Sequence, residues 1–173
     1  MCSSDLLEIT VQLLPRAECF HTVLAGYATL EQAGDAVAAV VASGLLPGAI
    51  EIMEKLALEA ATAAVHAEYP PGCEAVLIVE LEGPREVVAA DRERLDAILA
   101  ASRPVEVRPA RDAAERLAIW KGRKSAITAL GRQFPSYYLQ DGVVPRTALP
   151  KVLAAIDRLS AEHGLPEIGR AHV

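Results

Sequence analysis

The stretch EAVLIVELEG, Glu74 to Gly83, followed at once by Pro84, decides how this chain folds. A short run rich in Val, Ile and Leu, closed by glycine, reads as a β-strand. Pro84 suits the first turn of a helix. Apolar residues at Val88, Leu95, Ile98 and Leu99 carry that helix over Arg85 to Ser102. VEVRPA, Val105 to Ala110, then alternates strictly and reads as another strand. Upstream, HTVLAGY (His21 to Tyr27) is a short β-branched strand. Thr29 is an N-cap, with Gln32 three residues on, for a helix from Leu30 to Ser43 that ends at Gly44. ITVQLLP, Ile9 to Pro15, alternates and is expected as a strand. LPGAIEIMEK begins extended and is expected to turn helical by about Met53, stopping before Pro70-Pro71-Gly72. Downstream, Asp112 to about Leu130 reads as helix and YYLQDGVVP (Tyr137 to Pro145) as extended chain. Thr147 is placed to cap a last helix, Leu149 to His163. The order implies an α+β, ferredoxin-like sandwich: an antiparallel sheet with helices packed on one face.

The totals narrow the function. The chain has 173 residues, 52% of them hydrophobic, enough for one core. A net charge of -6, with both signs interleaved, argues against a nucleic-acid surface. No apolar run reaches the roughly 20 residues that span a bilayer, and no signal peptide is readable. The 3 cysteines, Cys2, Cys19 and Cys73, are widely spaced without a CxxC pair. That supports neither a disulfide framework nor a zinc site, and a cytoplasmic, reducing setting follows. No GxGxxG or GxxxxGK[ST] follows any strand.

The two ends share an oddity. Ile168 to Val173 can be written ATC GGA AGA GCA CAC GTC. Its reverse complement, GAC GTG TGC TCT TCC GAT, encodes Met1-Cys2-Ser3-Ser4-Asp5 from the GTG start onward. The word resembles a sequencing-library adapter. Residues 1–6 and 168–173 are therefore expected to be adapter-derived, and residues 7–167 to be the natural segment, a truncated one. Codons at the two ends that depart from this word in the nucleotide record would dismiss the expectation.

Chemistry concentrates in Glu115 to Arg146. This stretch holds the single tryptophan and 6 cations: Arg116, Lys121, Arg123, Lys124, Arg132 and Arg146. On a helix Trp120 and Arg123 share a face, and Lys124 lies one turn beyond Trp120. A guanidinium there can hold a carboxylate in a two-pronged pair. A solvated basic face with one buried aromatic is the plainer alternative. Asp141-Gly142 marks a turn or bulge, with Asp141 able to orient Arg146. In an extended AIEIM, Glu51 faces away from Ile50 and Ile52, out of the core and toward a partner surface; it is the candidate cofactor contact. His21, His66 and His163 lack a second ligand at metal spacing, so no metal site is assigned. Cys19 and Cys73 have no flanking base, and no catalytic residue is assigned from the chain itself.

ITVQLLP, LPGAIEIMEK, EAVLIVELEG, ERLAIWKGRKSAITALGR and YYLQDGVVPRTALPKVL, in that order, resemble the FAD-linked oxidases of the vanillyl-alcohol oxidase type. The likeness points to their glycolate-oxidase branch, with D-lactate and D-2-hydroxyglutarate dehydrogenases as relatives. WKGRK and YYLQDGVVPR are its more specific parts, and it runs from Leu7 to Leu165. It implies the end of a flavin domain plus part of a C-terminal cap domain. The implied activity is oxidation of a 2-hydroxy acid to a 2-oxo acid by hydride transfer to FAD. Arg123 matches the arginine that grips the substrate carboxylate in relatives, with Lys124 beside it. Leu139 stands where some relatives carry lysine, and Arg146 is the candidate to replace that charge. FAD would be held mainly by the N-terminal half absent from this chain. The family's HxGDGNxH-like and GEHG-like stretches, with its base and a divalent metal, would follow the last helix. The piece alone is expected to be inactive. Other oxidase subunits are implied as partners, with membrane association through them. The competing reading is a stand-alone ferredoxin-like regulatory or interaction module without catalytic activity.

Overall fold

The computed structural model describes residues 8–13, 15–66, 68–133, 136, 138, 140, 142–145, 148–165 and 170–172. Strands β1 (Cys19–Tyr27), β2 (Ala49–Glu54), β3 (Ala75–Gly83), β4 (Glu106–Pro109) and β5 (Arg170–His172) form one sheet in the order β4-β1-β3-β2-β5. All pairings are antiparallel. With helices α1 (Leu30–Ala42) and α3 (Arg85–Ala101), the first four strands make the βαββαβ pattern of a ferredoxin-like sandwich. Added to it are α2 (Lys55–Val65), α4 (Ala113–Gln133) and α5 (Leu149–His163).

β3 runs down the middle, paired with β1 on one side and β2 on the other. Its alternate residues feed two separate cores. Leu77, Val79 and Leu81 join Val23, Ala25, Tyr27, Ile50 and Ile52 against α1, α3 and the start of α5. Val76 and Ile78 join Leu24 and Met53 against α2 and α4. Helices therefore cover both faces of the sheet, where the sequence led us to expect one. The unbroken Val/Leu/Ile run of β3 is the composition of a strand buried on both sides.

Several expected boundaries hold. The Thr29 hydroxyl accepts the Gln32 amide at the start of α1, and Gly44 follows its end with φ of 77°. Asp112 Oδ1 accepts the Glu115 amide as α4 begins. Others shift. Ile9 to Leu13 is not a strand: Ile9, Val11 and Leu13 are exposed, and no strand pairs with them among the described residues. Alternation without a neighbouring edge gives the backbone nothing to bond. β2 continues to Glu54 because every residue from Ala49 to Glu54 pairs with β3, so the helix starts at Lys55, two residues later than expected. α2 ends at Val65, well before the prolines, because His66 turns left-handed (φ 53°) and gives its amide to Thr62. Tyr138, Gln140 and Gly142 to Pro145 have no regular structure, while Asp141, Arg146 and the expected cap Thr147 lie outside the described residues.

Gly26 shows how tightly the α2 side is built. A Cβ there would lie 2.4 Å from Cys73 Sγ and 3.0 Å from Pro70 Cβ. Both neighbours belong to the segment that leads into β3, so neither can move without disturbing the central strand. Gly26→Ala should lower unfolding stability by about 1–3 kcal/mol, measured by urea titration; an unchanged midpoint would show that the segment yields freely.

Candidate functional site

Two carboxylates interrupt the apolar surface beneath α4. Glu80 lies on β3 and Glu51 on β2, each 5% exposed. Glu51 stands opposite Ile78 and Ala49 opposite Glu80, so the two acids are diagonal neighbours on one face. The same register gives that face Thr22, Leu24 and Met53. α4 lies over it, presenting Arg116, Ile119, Trp120, Arg123 and Ala126 at helical spacing.

Glu80 is held from three directions. Arg116 donates through Nε (2.8 Å) and Nη2 (2.6 Å), Trp120 Nε1 donates at 2.6 Å, and Thr22 Oγ1 donates at 2.6 Å. The Arg116 guanidinium also lies 3.9 Å from the centroid of the Phe20 ring. Burial pushes the Glu80 carboxyl up, but the bonds from Arg116, Thr22 and Trp120 outweigh it and hold the group below the usual carboxylate range. The partnership correspondingly raises Arg116. Four charge-assisted bonds to one buried carboxylate make this a closed unit.

Glu51 and Arg123 form the second pair. Arg123 Nη2 donates to Glu51 Oε2 at 2.7 Å, and the side chains are 19% and 6% exposed. Arg123 Nε is buried and has no hydrogen-bond partner among the described residues. Glu51 does face away from Ile50 and Ile52, as its strand requires. That second face is itself interior, because α4 covers it, so the expectation that Glu51 lies outside the core is corrected. Lys124 points elsewhere: it is exposed and lines a shallow groove of about 370 Å³ with Leu117, Trp120, Lys121 and Ser125. The structure thus joins Arg123 to Glu51 and leaves Lys124 apart from them; Arg146 lies outside the described residues.

Sequence reasoning missed Glu80, Thr22 and Arg116 as a unit. The signal was an acid inside an otherwise apolar strand together with cations at Arg116 and Arg123 flanking Trp120 on one helical face. The remaining candidates stay isolated. His21 Nε2 is buried without a hydrogen-bond partner among the described residues, and burial, then Arg92, lowers its pKa. Burial pushes the Cys73 thiol up, the wrong direction for a nucleophile. Cys73 borders a recess of about 430 Å³ beside α2, between Lys55, Leu58, Tyr69 and Glu74. Among the described residues no group of three or more His, Cys, Asp and Glu could hold a metal.

Residues 16–173 match the C-terminal domain of FAD linked oxidases. This chain belongs to the FAD-linked oxidase family. Two relatives are glycolate oxidase subunits GlcD. The one from Escherichia coli (strain K12) is 44% identical over 158 residues, covering 91% of this chain and 32% of the relative. The one from Bacillus subtilis (strain 168) is 30% identical over 91% of this chain and 34% of the relative. The chain thus spans about a third of the length of these curated relatives. A solved alkyldihydroxyacetonephosphate synthase shares the fold with a TM-score of 0.58 at 12% identity, over 85% of this chain and 32% of its own.

Membership in the family implies FAD. The described residues offer little to hold its diphosphate. Their helices begin after Thr29, Glu54, Pro84, Asp112 and Ala148, none of which ends a glycine-rich turn aimed at a phosphate. Among the described residues no helix is long and apolar enough to cross a membrane.

The Glu80 unit has a pH signature. Its folded pKa lies below the unfolded value, so its contribution is complete above the ordinary carboxylate range. It fades as pH falls through the depressed value. Stability of the chain should therefore drop on acidification, and Glu80→Gln should flatten that part of the curve. At neutral pH Glu80→Gln should cost about 3 kcal/mol, because Arg116 loses its buried counter-charge. Denaturant midpoints across the acid range test both; parallel curves for the two proteins would remove Glu80 as the source.

Proposed function

We propose that this chain is the substrate-side part of an FAD-dependent oxidoreductase that converts a 2-hydroxy acid to a 2-oxo acid, in the manner of a glycolate oxidase. The observation that carries the reading is the 44% identity to a GlcD subunit over 91% of the chain, joined to a guanidinium on α4 with an unspent N–H. Residues 7–167 are assigned to the end of the flavin domain and part of the cap that closes over it. FAD, held chiefly by protein outside this chain, is the hydride acceptor. The chain's own contribution is binding and orientation. Arg123 holds the substrate carboxylate, because a guanidinium offers parallel donors that match two carboxylate oxygens. Lys124 and Arg146 add positive charge that helps draw the anion in by long-range attraction. Fixing the acid by its carboxylate presents the hydroxyl-bearing carbon at a set distance, which is the entropic part of the rate gain.

On this reading the segment alone does not turn over. Other oxidase subunits would be its partners and would provide any contact with the membrane.

The test is Arg123→Ala in the full-length, flavin-loaded protein. We expect kcat/KM for 2-hydroxy acids to fall by roughly 100-fold or more, about 3 kcal/mol, with flavin content retained. Unchanged kinetics on glycolate, D-lactate and longer 2-hydroxy acids would end the assignment of Arg123.

A further inference from the structure

The two arginines of α4 spend their donors differently. Arg116 gives both Nε and Nη2 to Glu80, a complete two-pronged pair. Arg123 gives Nη2 to Glu51 and leaves Nε without a hydrogen-bond partner among the described residues. Both lie on the buried side of the helix, so the difference is not one of exposure to water. A single-pronged hold fixes where a guanidinium sits without exhausting it.

We infer that Glu51 is a positioning residue: it holds Arg123 by one N–H so that the remaining donors meet the carboxylate of a 2-hydroxy acid. The inference rests on the reading of Arg123 given above and adds a role for its partner. Glu51 is suited to this by its place in the sheet. It sits within β2, every residue of which pairs with the central strand β3, so its backbone is fixed. Its side chain is 6% exposed, which leaves little room for other rotamers. Arg123, by contrast, arises from a long side chain with four rotatable bonds, whose ordering a carboxylate ligand would otherwise have to enforce on binding. Glu51 orders it in advance. It also offsets the cost of burying the cation when no ligand is present, and so keeps α4 seated on the sheet. The pair carries no proton or electron; it acts on substrate affinity.

The test uses the full-length, flavin-loaded protein and a double-mutant cycle of Glu51→Gln with Arg123→Ala. Glu51→Gln keeps the shape and removes the charge. We expect KM for glycolate to rise about tenfold while kcat changes less than about twofold, since ground-state and transition-state binding are weakened alike. The dissociation constant of acetate, followed through flavin absorbance, should rise in parallel with KM. The double variant should be no worse than Arg123→Ala alone. If Arg123→Ala is impaired but Glu51→Gln leaves both KM and acetate binding unchanged, the inference is overturned and the reading of Arg123 stands. If the two substitutions multiply, Glu51 acts independently of Arg123, and the inference is likewise overturned. If Arg123→Ala is itself harmless, the reading of Arg123 fails first. Should Glu51→Gln not accumulate folded, the same cycle with Glu51→Asp, which keeps the charge one methylene short, is expected to show a smaller rise in KM that Arg123→Ala again abolishes. An unchanged or additive effect of Glu51→Asp would overturn the inference.

Discussion

The carboxylate of Glu80 is the constraint around which the α4 side of this protein is arranged. A carboxylate in the middle of a central strand is costly to desolvate unless each lone pair is met. Here it is met by Arg116, Trp120 and Thr22. The first two come from one helix and the third from the neighbouring strand. Satisfying Glu80 therefore fixes the rotation and the longitudinal position of α4 at once. Apolar burial would not do this by itself: among the described residues, the inward stripe of α4 brings Ile119, Ala126 and part of Trp120 to the core on that side. Leu117, an equally large apolar residue on the same helix, is left 61% exposed. The polar contacts select which side of the helix faces in.

The opposite face of the sheet is assembled by a different rule. Its large residues are aliphatic, and the helices over it meet them with Ala33, Ala36, Val37, Val40, Leu95 and Leu99. The one polar tie among the buried side chains named there is Tyr27, whose hydroxyl shares a hydrogen with Ser102 at 2.8 Å. Close packing gives that half its uniqueness, and hydrogen bonds to buried acids give uniqueness to the other. β3 belongs to both: Leu77 and Val79 serve one side while Ile78 and Glu80 serve the other.

This division explains what could be read from the sequence. β1, β3, α1, α3 and β4 carry their period and their caps locally, so Thr29, Gly44 and Pro84 mark them within a residue or so. The βαββαβ order follows from those elements. The second helical layer was hidden because nothing local says which side of a strand a distant helix will cover; α4 meets Glu80 across 36 residues and Glu51 across 72. For the same reason Glu51 read as a solvent-side residue. Its alternation with Ile50 and Ile52 was correctly seen, but alternation gives a side of the sheet, not its covering. Ile9 to Leu13 failed in the reverse sense, having the alternation of a strand without a partner edge. Arg123 stands out through residue type and family likeness; that its partner is a carboxylate of the chain itself requires the long-range geometry.

Arg116, Trp120 and Arg123 therefore share one helical face with unequal duties. The first two are committed to Glu80, and removing either takes a partner from a buried carboxylate. Arg123 sits a turn further along, over the neighbouring strand, tied by one bond. A helix anchored firmly at one turn and lightly at the next can present a cation to an incoming anion without giving up its seat on the sheet. The order matters: were the double-pronged pair at Arg123 and the single one at Arg116, the cation proposed to bind substrate would already be spent. Arg116 and Arg123 stand about two turns apart along α4 and meet acids on adjacent strands, Glu80 on β3 and Glu51 on β2, which holds the two duties apart.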